Sequence, residues 1–136
     1  MSRSRRSEAL RWLTQAEDEL KDAEMLAKAQ RYYLALFLCQ QSAEKALKAF
    51  IYDHIREPVF THSVAELLKI AESIDPTFKP ASDVKRLDDY YIPTRYPNGL
   101  PGEVPSRYFD SSDEAVKALA LAKEVFEHAR QRILKK

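Results

Sequence analysis

The sequence predicts an all-α protein, folded as an antiparallel, up-and-down bundle of four to five helices with a long, ordered, proline-rich loop before the last helix. Three observations predict this class. Only two glycines occur in 136 residues, no stretch alternates apolar and polar residues as a half-buried strand does, and several stretches repeat apolar residues at helical spacing. A chain of this length is expected to form a single domain spanning residues 1–136.

The composition favours a soluble protein that is not strongly attracted to nucleic acids or to membranes. The 22 basic residues nearly balance the 21 acidic ones, so no global field favours a polyanion. No run approaches the roughly 20 apolar residues that span a bilayer, and the basic start lacks the apolar run of a signal peptide. A single cysteine excludes an internal disulfide, which fits a reducing cytoplasm. We therefore expect a cytoplasmic protein, and no spacing typical of a metal site is present.

The first helix is predicted over residues 7–28. Its apolar residues recur at alternating steps of three and four, which places them on one seam. The seam consists of Leu13, Ala16, Leu20, Ala23 and Ala27. The connection that follows, Gln30 and Arg31, is so short that the next helix is expected to pack antiparallel to the first.

The second helix is predicted from Tyr32 to Arg56, with Pro58 preventing its continuation. It carries two neighbouring stripes. The apolar stripe, which is expected to be buried, contains Leu36, Ala43, Leu47, Phe50 and His54. The polar stripe, which we name the α2 polar stripe, contains Gln41, Glu44, Lys45 and Lys48.

Capping boxes mark two further helix starts. Ser63 with Glu66 begins a third helix that is expected to run from Val64 to Ile74, and Ser111 with Glu114 begins the last helix. The last helix is expected to end near Leu134. Its predicted seam contains Ala115, Leu119, Ala122, Phe126, Ala129 and Ile133.

Between these helices lie a short helical segment and a loop. Ser82 to Tyr91 is predicted as a fourth helical segment, with Val84, Leu87 and Tyr91 on its inner face. Residues 92–109 hold four of the seven prolines and both glycines, so they are not expected to form regular helix. The loop is expected to be ordered by apolar anchors, which are Ile92, Tyr96, Leu100, Val104, Tyr108 and Phe109.

Three groups of polar residues are candidates for chemistry. The α2 polar stripe is either a solvated face or one wall of a site, since its i,i+4 pairs also stabilise an isolated helix. Arg95 beside Tyr96, and Arg107 beside Tyr108, either hold a phosphate and a base or pin the loop. Arg56 and His62 have the residue types for phosphodiester cleavage. Cys39, among apolar neighbours, is expected to be a buried structural thiol.

Several segments together resemble the HEPN (higher eukaryote and prokaryote nucleotide-binding) domain family. They are an early helix with Trp12, the segment QQSAEKALK at 40–48, Thr61–His62, the segment YYIPTRYP at 90–97 and an alanine-rich last helix. The resemblance covers nearly the whole chain. It implies a helical bundle, usually a homodimer with a cleft between protomers, that binds a nucleotide such as ATP or GTP, or RNA.

The resemblance also implies a minimal nucleotidyltransferase as partner, often in a toxin–antitoxin module. Members that cleave RNA carry Arg-x(4–6)-His on a late helix, and this sequence has no such pair on a late helix. Arg56 and His62 meet the spacing, but they lie in the connection between helices two and three that contains Pro58, and they remain the only catalytic candidates. A ribonuclease toxin and a non-catalytic dimeric adaptor are the alternatives. The expected nucleotide-binding residues are Gln41, Glu44, Lys45, Lys48, Tyr90, Tyr91, Arg95, Tyr96 and Arg107.

Overall fold

Three long helices make up most of the fold, which we describe from a computed structural model covering residues 4–79 and 83–135. The first residue of the predicted fourth segment, Ser82, lies outside the described residues. The elements are α1 (Arg5–Lys28), α2 (Tyr32–Tyr52), α3 (Val64–Ile74), a 3₁₀ segment (Val84–Tyr90), a 3₁₀ turn (Pro97–Gly99), the one-turn α4 (Pro105–Tyr108) and α5 (Ser112–Leu134). The predicted all-α bundle is confirmed, and the described residues include no strand.

Helix α2 occupies the centre of the bundle, where it packs against α1, α3 and α5. Its apolar stripe is buried as far as Phe50, and both neighbouring long helices present mainly small residues to it. On α1 the buried residues are Ala9, Leu13, Ala16, Leu20 and Ala23. On α5 they include Ala115, Ala122, Phe126, Ala129 and Ile133, while Leu119 is half-buried. Alanine seams allow close helix approach, which explains why α2 is enclosed.

The connection between α1 and α2 reverses the chain in three residues. Gln30 adopts a left-handed conformation (φ 62°), and the N–H groups of Gln30 and Arg31 donate to the carbonyls of Ala27 and Leu26. This pattern is a Schellman motif, which satisfies the last carbonyls of a helix. Ser42 then meets the middle of α1, since its hydroxyl donates to the Ala16 carbonyl at 2.7 Å. The predicted antiparallel pairing of α1 and α2 follows.

Helix α2 ends at Tyr52, four residues before the predicted end at Arg56. Pro58 marks the latest position at which the helix has to stop, but tertiary contacts end it earlier. The Tyr52 hydroxyl bonds both the N–H and the carbonyl of Val59, at 2.9 and 3.2 Å. A helix continuing past Tyr52 would carry Val59 roughly 10 Å along the axis, out of reach of that hydroxyl.

The predicted fourth helix is a 3₁₀ segment rather than an α-helix, and this changes which tyrosine is buried. A 3₁₀ helix has three residues per turn, so Val84, Leu87 and Tyr90 share the inner face, and all three are buried. The prediction that Tyr91 lies on the inner face used the α-helical period and is wrong. Tyr91 is half-buried and faces the candidate site described below.

The proline-rich loop is ordered by fewer anchors than predicted. Of the six predicted anchors only Phe109 is buried and Leu100 half-buried, whereas Ile92, Tyr96, Val104 and Tyr108 are exposed. Thr94 and Pro105 are buried instead, and Pro105 occupies the first position of α4. A helical turn therefore forms where none was expected, because proline at that position lacks only an N–H that would have no intrahelical partner.

Both predicted capping residues cap their helices, but neither glutamate closes the box. Ser63 and Ser111 accept from the N–H groups of Glu66 and Glu114, each at 3.2 Å. The two carboxylates accept instead from hydroxyl groups outside the turn, those of Thr61 and Tyr90. The third helix nevertheless spans its predicted range from Val64 to Ile74.

Candidate functional site at the α2 polar stripe

The α2 polar stripe is largely inside the protein. Glu44 and Lys48 are 3% and 4% exposed, and their side chains form an ion pair of 3.1 Å. Gln41 and Lys45 are half-buried beside them. A buried charge is costly unless it is paired and hydrogen-bonded. The stripe is therefore not a solvated face, and its members hold one another in place.

Glu44 is the centre of this polar group. Its carboxylate accepts from Lys48 Nζ at 3.1 Å and from Gln41 Nε2 at 3.3 Å, and it contacts His62 Nδ1 at 3.1 Å. The histidine comes from the connection between α2 and α3, so the carboxylate ties that connection to the central helix. The Nδ1 contact also fixes the orientation of the imidazole.

Both lysines of the stripe already have acidic partners. Lys45 Nζ bonds Glu19 of α1 at 2.9 Å and the Gln41 side-chain oxygen at 3.0 Å. Lys48 pairs with Glu44, and its ammonium also lies 5.7 Å from the centre of the Trp12 ring. Their charges therefore stabilise the junction of α1 and α2, and neither is an unpaired cation awaiting a ligand.

His62 is held from three sides and remains accessible. Its backbone carbonyl accepts from the fully buried Gln40 at 2.8 Å, and its ring stacks on Tyr91 with centroids 5.1 Å apart. Its side chain is 54% exposed although Nδ1 contacts Glu44. Within the part of the chain that the structure describes, Nε2 makes no hydrogen bond, so this nitrogen is available to a ligand.

Arg95 lies beside the same tyrosine. Its guanidinium carbon is 4.5 Å from the Tyr91 ring centre, 4.8 Å from that of Phe37 and 5.1 Å from that of Tyr96. Arg95 Nε donates to the Tyr91 carbonyl at 2.7 Å. The side chain is fixed by stacking yet exposed. We name the surface formed by Phe37, His62, Tyr91, Arg95 and Tyr96 the Arg95–His62 surface.

Asp88 sets the position of this surface. Its carboxylate accepts from the Ser63 hydroxyl at 3.0 Å and from the first amides of α3, Val64 N at 2.7 Å and Ala65 N at 3.1 Å. A carboxylate at a helix start satisfies free N–H groups and interacts favourably with the helix dipole. The 3₁₀ segment is thereby fixed to α3, which brings Tyr91 against His62.

Comparison with known proteins places this arrangement in a family. The model of the HEPN domain matches residues 9–132. The chain belongs to the HEPN domain family. A search of curated proteins finds no match.

Two solved structures are similar to this HEPN domain. TT1696 from Thermus thermophilus is 31% identical, with a TM-score of 0.77 over 90% of this chain and 96% of that one. The structure of ST0689, described as an archaeal HEPN homologue, is 28% identical, with a TM-score of 0.69 over 98% of this chain and 99% of that one. The resemblance found in the sequence is confirmed, and so is the bundle fold.

The structure of this HEPN domain does not bring every predicted site residue to the Arg95–His62 surface. Tyr90 is buried and donates to Glu114 at 2.8 Å, and burial together with that carboxylate raises the pKa of its hydroxyl. Arg107 is exposed on α4, outside the contacts of the surface. Arg56 lines a groove beside the start of α1, and among the described residues no bond joins it to His62.

Two members of the site were not predicted from the sequence. Phe37 precedes Gln41 by four residues, so it continues the α2 polar stripe by one turn, and this spacing is the signal that identifies it. Glu19 lies on another helix, and no sequence pattern links it to Lys45.

Three further features concern Cys39, metal binding and membrane-spanning helices. Cys39 is buried, and burial raises the pKa of its thiol to about 12, which agrees with a structural thiol. Across residues 4–79 and 83–135, no three His, Cys, Asp or Glu side chains cluster closely enough to hold a metal ion. In the same ranges no helix combines the length and the apolar character needed to cross a membrane.

Proposed function

We propose that this HEPN domain binds a nucleotide, such as ATP or GTP, at the Arg95–His62 surface. The observation that carries the proposal is the position of Arg95, exposed and in contact with three aromatic rings. Stacking and the Nε hydrogen bond hold the guanidinium in one orientation, and among the described residues its terminal nitrogens make no hydrogen bond. Such a fixed, exposed guanidinium suits bidentate binding of a phosphate.

The neighbouring groups supply the rest of a nucleotide site. Tyr96 is 48% exposed and offers a ring on which a base can stack. His62 Nε2 is a second polar group beside the same Tyr91 ring. Gln41, Glu44, Lys45 and Lys48 act in this proposal by positioning His62 and the α2 helix, since their hydrogen bonds are already made within the protein.

Calorimetric titration with ATP and GTP tests the nucleotide site. The unmodified protein should release or absorb heat at micromolar to millimolar nucleotide, and Arg95→Ala should weaken binding about tenfold or more, since a charge-assisted phosphate contact is lost. Arg107→Ala removes the same charge from outside the surface and serves as the matched control. Absence of heat at millimolar nucleotide, with an unchanged melting temperature, would exclude the site.

A second candidate function, RNA cleavage, is favoured by one specific observation. Glu44 orients His62 through Nδ1 as a carboxylate orients a catalytic histidine, and Arg95 shares the Tyr91 ring with it. In this reaction Nε2 accepts the proton of a 2′-hydroxyl, whose oxygen attacks phosphorus. Nε2 then returns the proton to the departing 5′-oxygen, while the guanidinium binds the phosphoryl oxygens. Arg95 thus takes the role that the sequence suggested for Arg56.

Incubation with single-stranded RNA separates the two functions. A ribonuclease would yield fragments ending in a cyclic phosphate, and His62→Ala would abolish them, with Arg56→Ala retaining full activity. Intact RNA after prolonged incubation, or equal cleavage by His62→Ala, excludes cleavage at this surface. Nucleotide binding without RNA cleavage would support the binding function and exclude the ribonuclease function.

We also propose that the protein forms a homodimer and acts with a minimal nucleotidyltransferase in a toxin–antitoxin module. Family membership supports both partners, and the exposed side chains of Ile92, Tyr96, Val104 and Tyr108 offer a contact surface on the loop. Light scattering measures the oligomeric state, and co-purification with the product of a neighbouring transferase gene tests the second partner. Val104→Glu with Tyr108→Glu should give a monomer if the loop forms the dimer contact, whereas Val116→Glu on α5 should not.

A further inference from the structure

The start of α1 forms a groove that the proposed nucleotide site does not use. Three adjoining cavities of about 840, 450 and 460 Å³ all include Ser4 in their lining, and the first two also include Trp12. The end of α2 and the connection after it supply the opposite wall, including Tyr52, Ile55 and Arg56. We name this feature the α1 groove. Arg56 lies in this groove and not beside His62.

Positive charge is concentrated along the α1 groove. Its lining contains five basic residues, Arg5, Arg6, Arg11, Lys45 and Arg56, against the two acidic residues Glu8 and Asp53. The whole chain carries a formal net charge of only +1. The groove is therefore a local positive surface on a nearly neutral protein, and a field of this kind attracts an acidic partner.

Two of these cations have no acidic partner within the described residues. Arg6 pairs with Asp53 at 3.3 Å, Arg11 with Glu8 at 2.9 Å, and Lys45 with Glu19 at 2.9 Å. Arg5 and Arg56 are exposed and make no ion pair there. Both of them line the same two cavities, so their charges act on the same part of the groove.

The floor of the groove is apolar. Trp12 is half-buried and packs edge to face on Tyr52, with ring centroids 5.4 Å apart. Ile55 and Pro58 extend this floor, and the exposed Leu10 continues it on the other side. An apolar floor beside unpaired arginines suits a ligand that combines apolar side chains with carboxylates.

We propose that the α1 groove binds an acidic, partly apolar peptide segment of a partner protein. The carboxylates of the segment pair with Arg5 and Arg56, and its apolar side chains cover Trp12 and Ile55. A nucleic-acid strand suits the groove less well, because its bases need aromatic faces on which to stack, whereas apolar side chains can cover Ile55 and Pro58 as well as Trp12. This site is independent of the nucleotide site proposed above.

Trp12 provides a direct measurement, because it is the only tryptophan in the sequence and lines two of the cavities. The probe is a short glutamate-rich peptide containing leucine and phenylalanine, titrated into the full chain at low salt while tryptophan emission is recorded. Saturable change of the emission is the expected result. The same peptide with glutamine in place of glutamate should bind about tenfold or more weakly, because it lacks the carboxylates.

Charge reversal locates the binding. Arg5→Glu with Arg56→Glu should weaken the acidic peptide by about tenfold or more, whereas Lys117→Glu with Lys123→Glu, an equal charge change on exposed residues of α5, should leave its affinity unaltered. Circular dichroism checks that each variant is folded. Emission that does not change with the acidic peptide, or equal loss in both variants, overturns the proposal. A stronger response to a single-stranded RNA of equal charge would reassign the groove to nucleic acid.

Discussion

Glu44 shows how one residue links the core to the surface. Its carboxylate is almost fully buried, yet it accepts from a lysine and an amide on its own helix and contacts a histidine from the next connection. Replacing both partners of a buried ion pair by apolar residues often leaves the stability unchanged, whereas removing one partner leaves the other charge buried and unpaired. Glu44 therefore determines both the stability of α2 and the position of His62.

Glu44→Gln should destabilise the fold by about 3–5 kcal/mol, because Lys48 is left as a buried charge without its partner. The double variant Glu44→Met with Lys48→Met removes both charges and should recover most of that loss. Urea unfolding followed by circular dichroism measures both variants. Equal destabilisation by the single and the double variant would show that the ion pair itself, rather than the stranded charge, carries the energy.

His128 should make the stability of the fold depend on pH. Its Nε2 lies 2.9 Å from the Thr77 hydroxyl, and its ring packs on Phe78 at 4.5 Å. Burial lowers the pKa of its imidazole in the folded protein, although Asp75 acts in the opposite direction. The unfolded chain therefore binds a proton more readily as pH falls below the ordinary histidine pKa of about 6.5, and the free energy of unfolding decreases there.

The measurement is the midpoint temperature of thermal unfolding, for the unmodified protein and for His128→Gln, from pH 7.5 to pH 5. His128→Gln keeps a hydrogen-bonding group near Thr77 but cannot titrate, so its midpoint should fall less steeply with acid. Asp75, whose pKa is lowered to about 2 by hydrogen bonds from Thr77 and Arg132 against the opposing effect of burial, adds its own loss only below about pH 4. Parallel curves for the two proteins would exclude His128 as the titrating group.

At the scale of elements, helices with a clear start and a single apolar period were predicted well from the sequence. The range of α3 and the cap of α5 follow from Ser63 and Ser111, whose role depends only on local backbone geometry. The sequence pattern does not distinguish the 3₁₀ segment from an α-helix, because Val84, Leu87, Tyr90 and Tyr91 fit periods of both three and three and a half residues. Its true period is set by Asp88, which binds the start of α3, and contacts of that kind are not visible in a local pattern.

Asp88→Ala tests this element-level contact. The change removes three hydrogen bonds at the start of α3 and should cost about 2 kcal/mol, since loss of a helix cap alone typically costs about 1 kcal/mol. Asp89→Ala, the exposed neighbour on the same segment, provides the matched control and should be nearly neutral. Thermal unfolding compares the two. Equal stability of both variants would mean that the 3₁₀ segment is held by Leu87 and Tyr90 packing instead.

At the scale of the whole molecule, the candidate site combines parts that the sequence predicts and parts that only tertiary packing reveals. The sequence assigns the α2 polar stripe and Arg95 to one set of expected nucleotide-binding residues. Their meeting at Tyr91 and Phe37 depends on how the loop folds over the start of α2. That Arg95, and not Arg56, shares the Tyr91 ring with His62 is revealed only by tertiary packing, because the two residues are distant in sequence.

The position of α2 between α1, α3 and α5 predicts that stability is distributed unevenly along the chain. Amides of α2 should exchange with solvent only through global unfolding, whereas those of residues 92–104, with few buried side chains, should exchange through local opening.

Leu47→Ala tests this division, because it creates a cavity at a fully buried position and should lower the free energy of unfolding by about 2–5 kcal/mol. It should speed exchange throughout α2 and leave residues 92–104 nearly unchanged, while Val116→Ala at an exposed position affects neither. Hydrogen exchange read by mass spectrometry would contradict this division if Leu47→Ala accelerated both regions equally, because the loop and the bundle would then open as one unit.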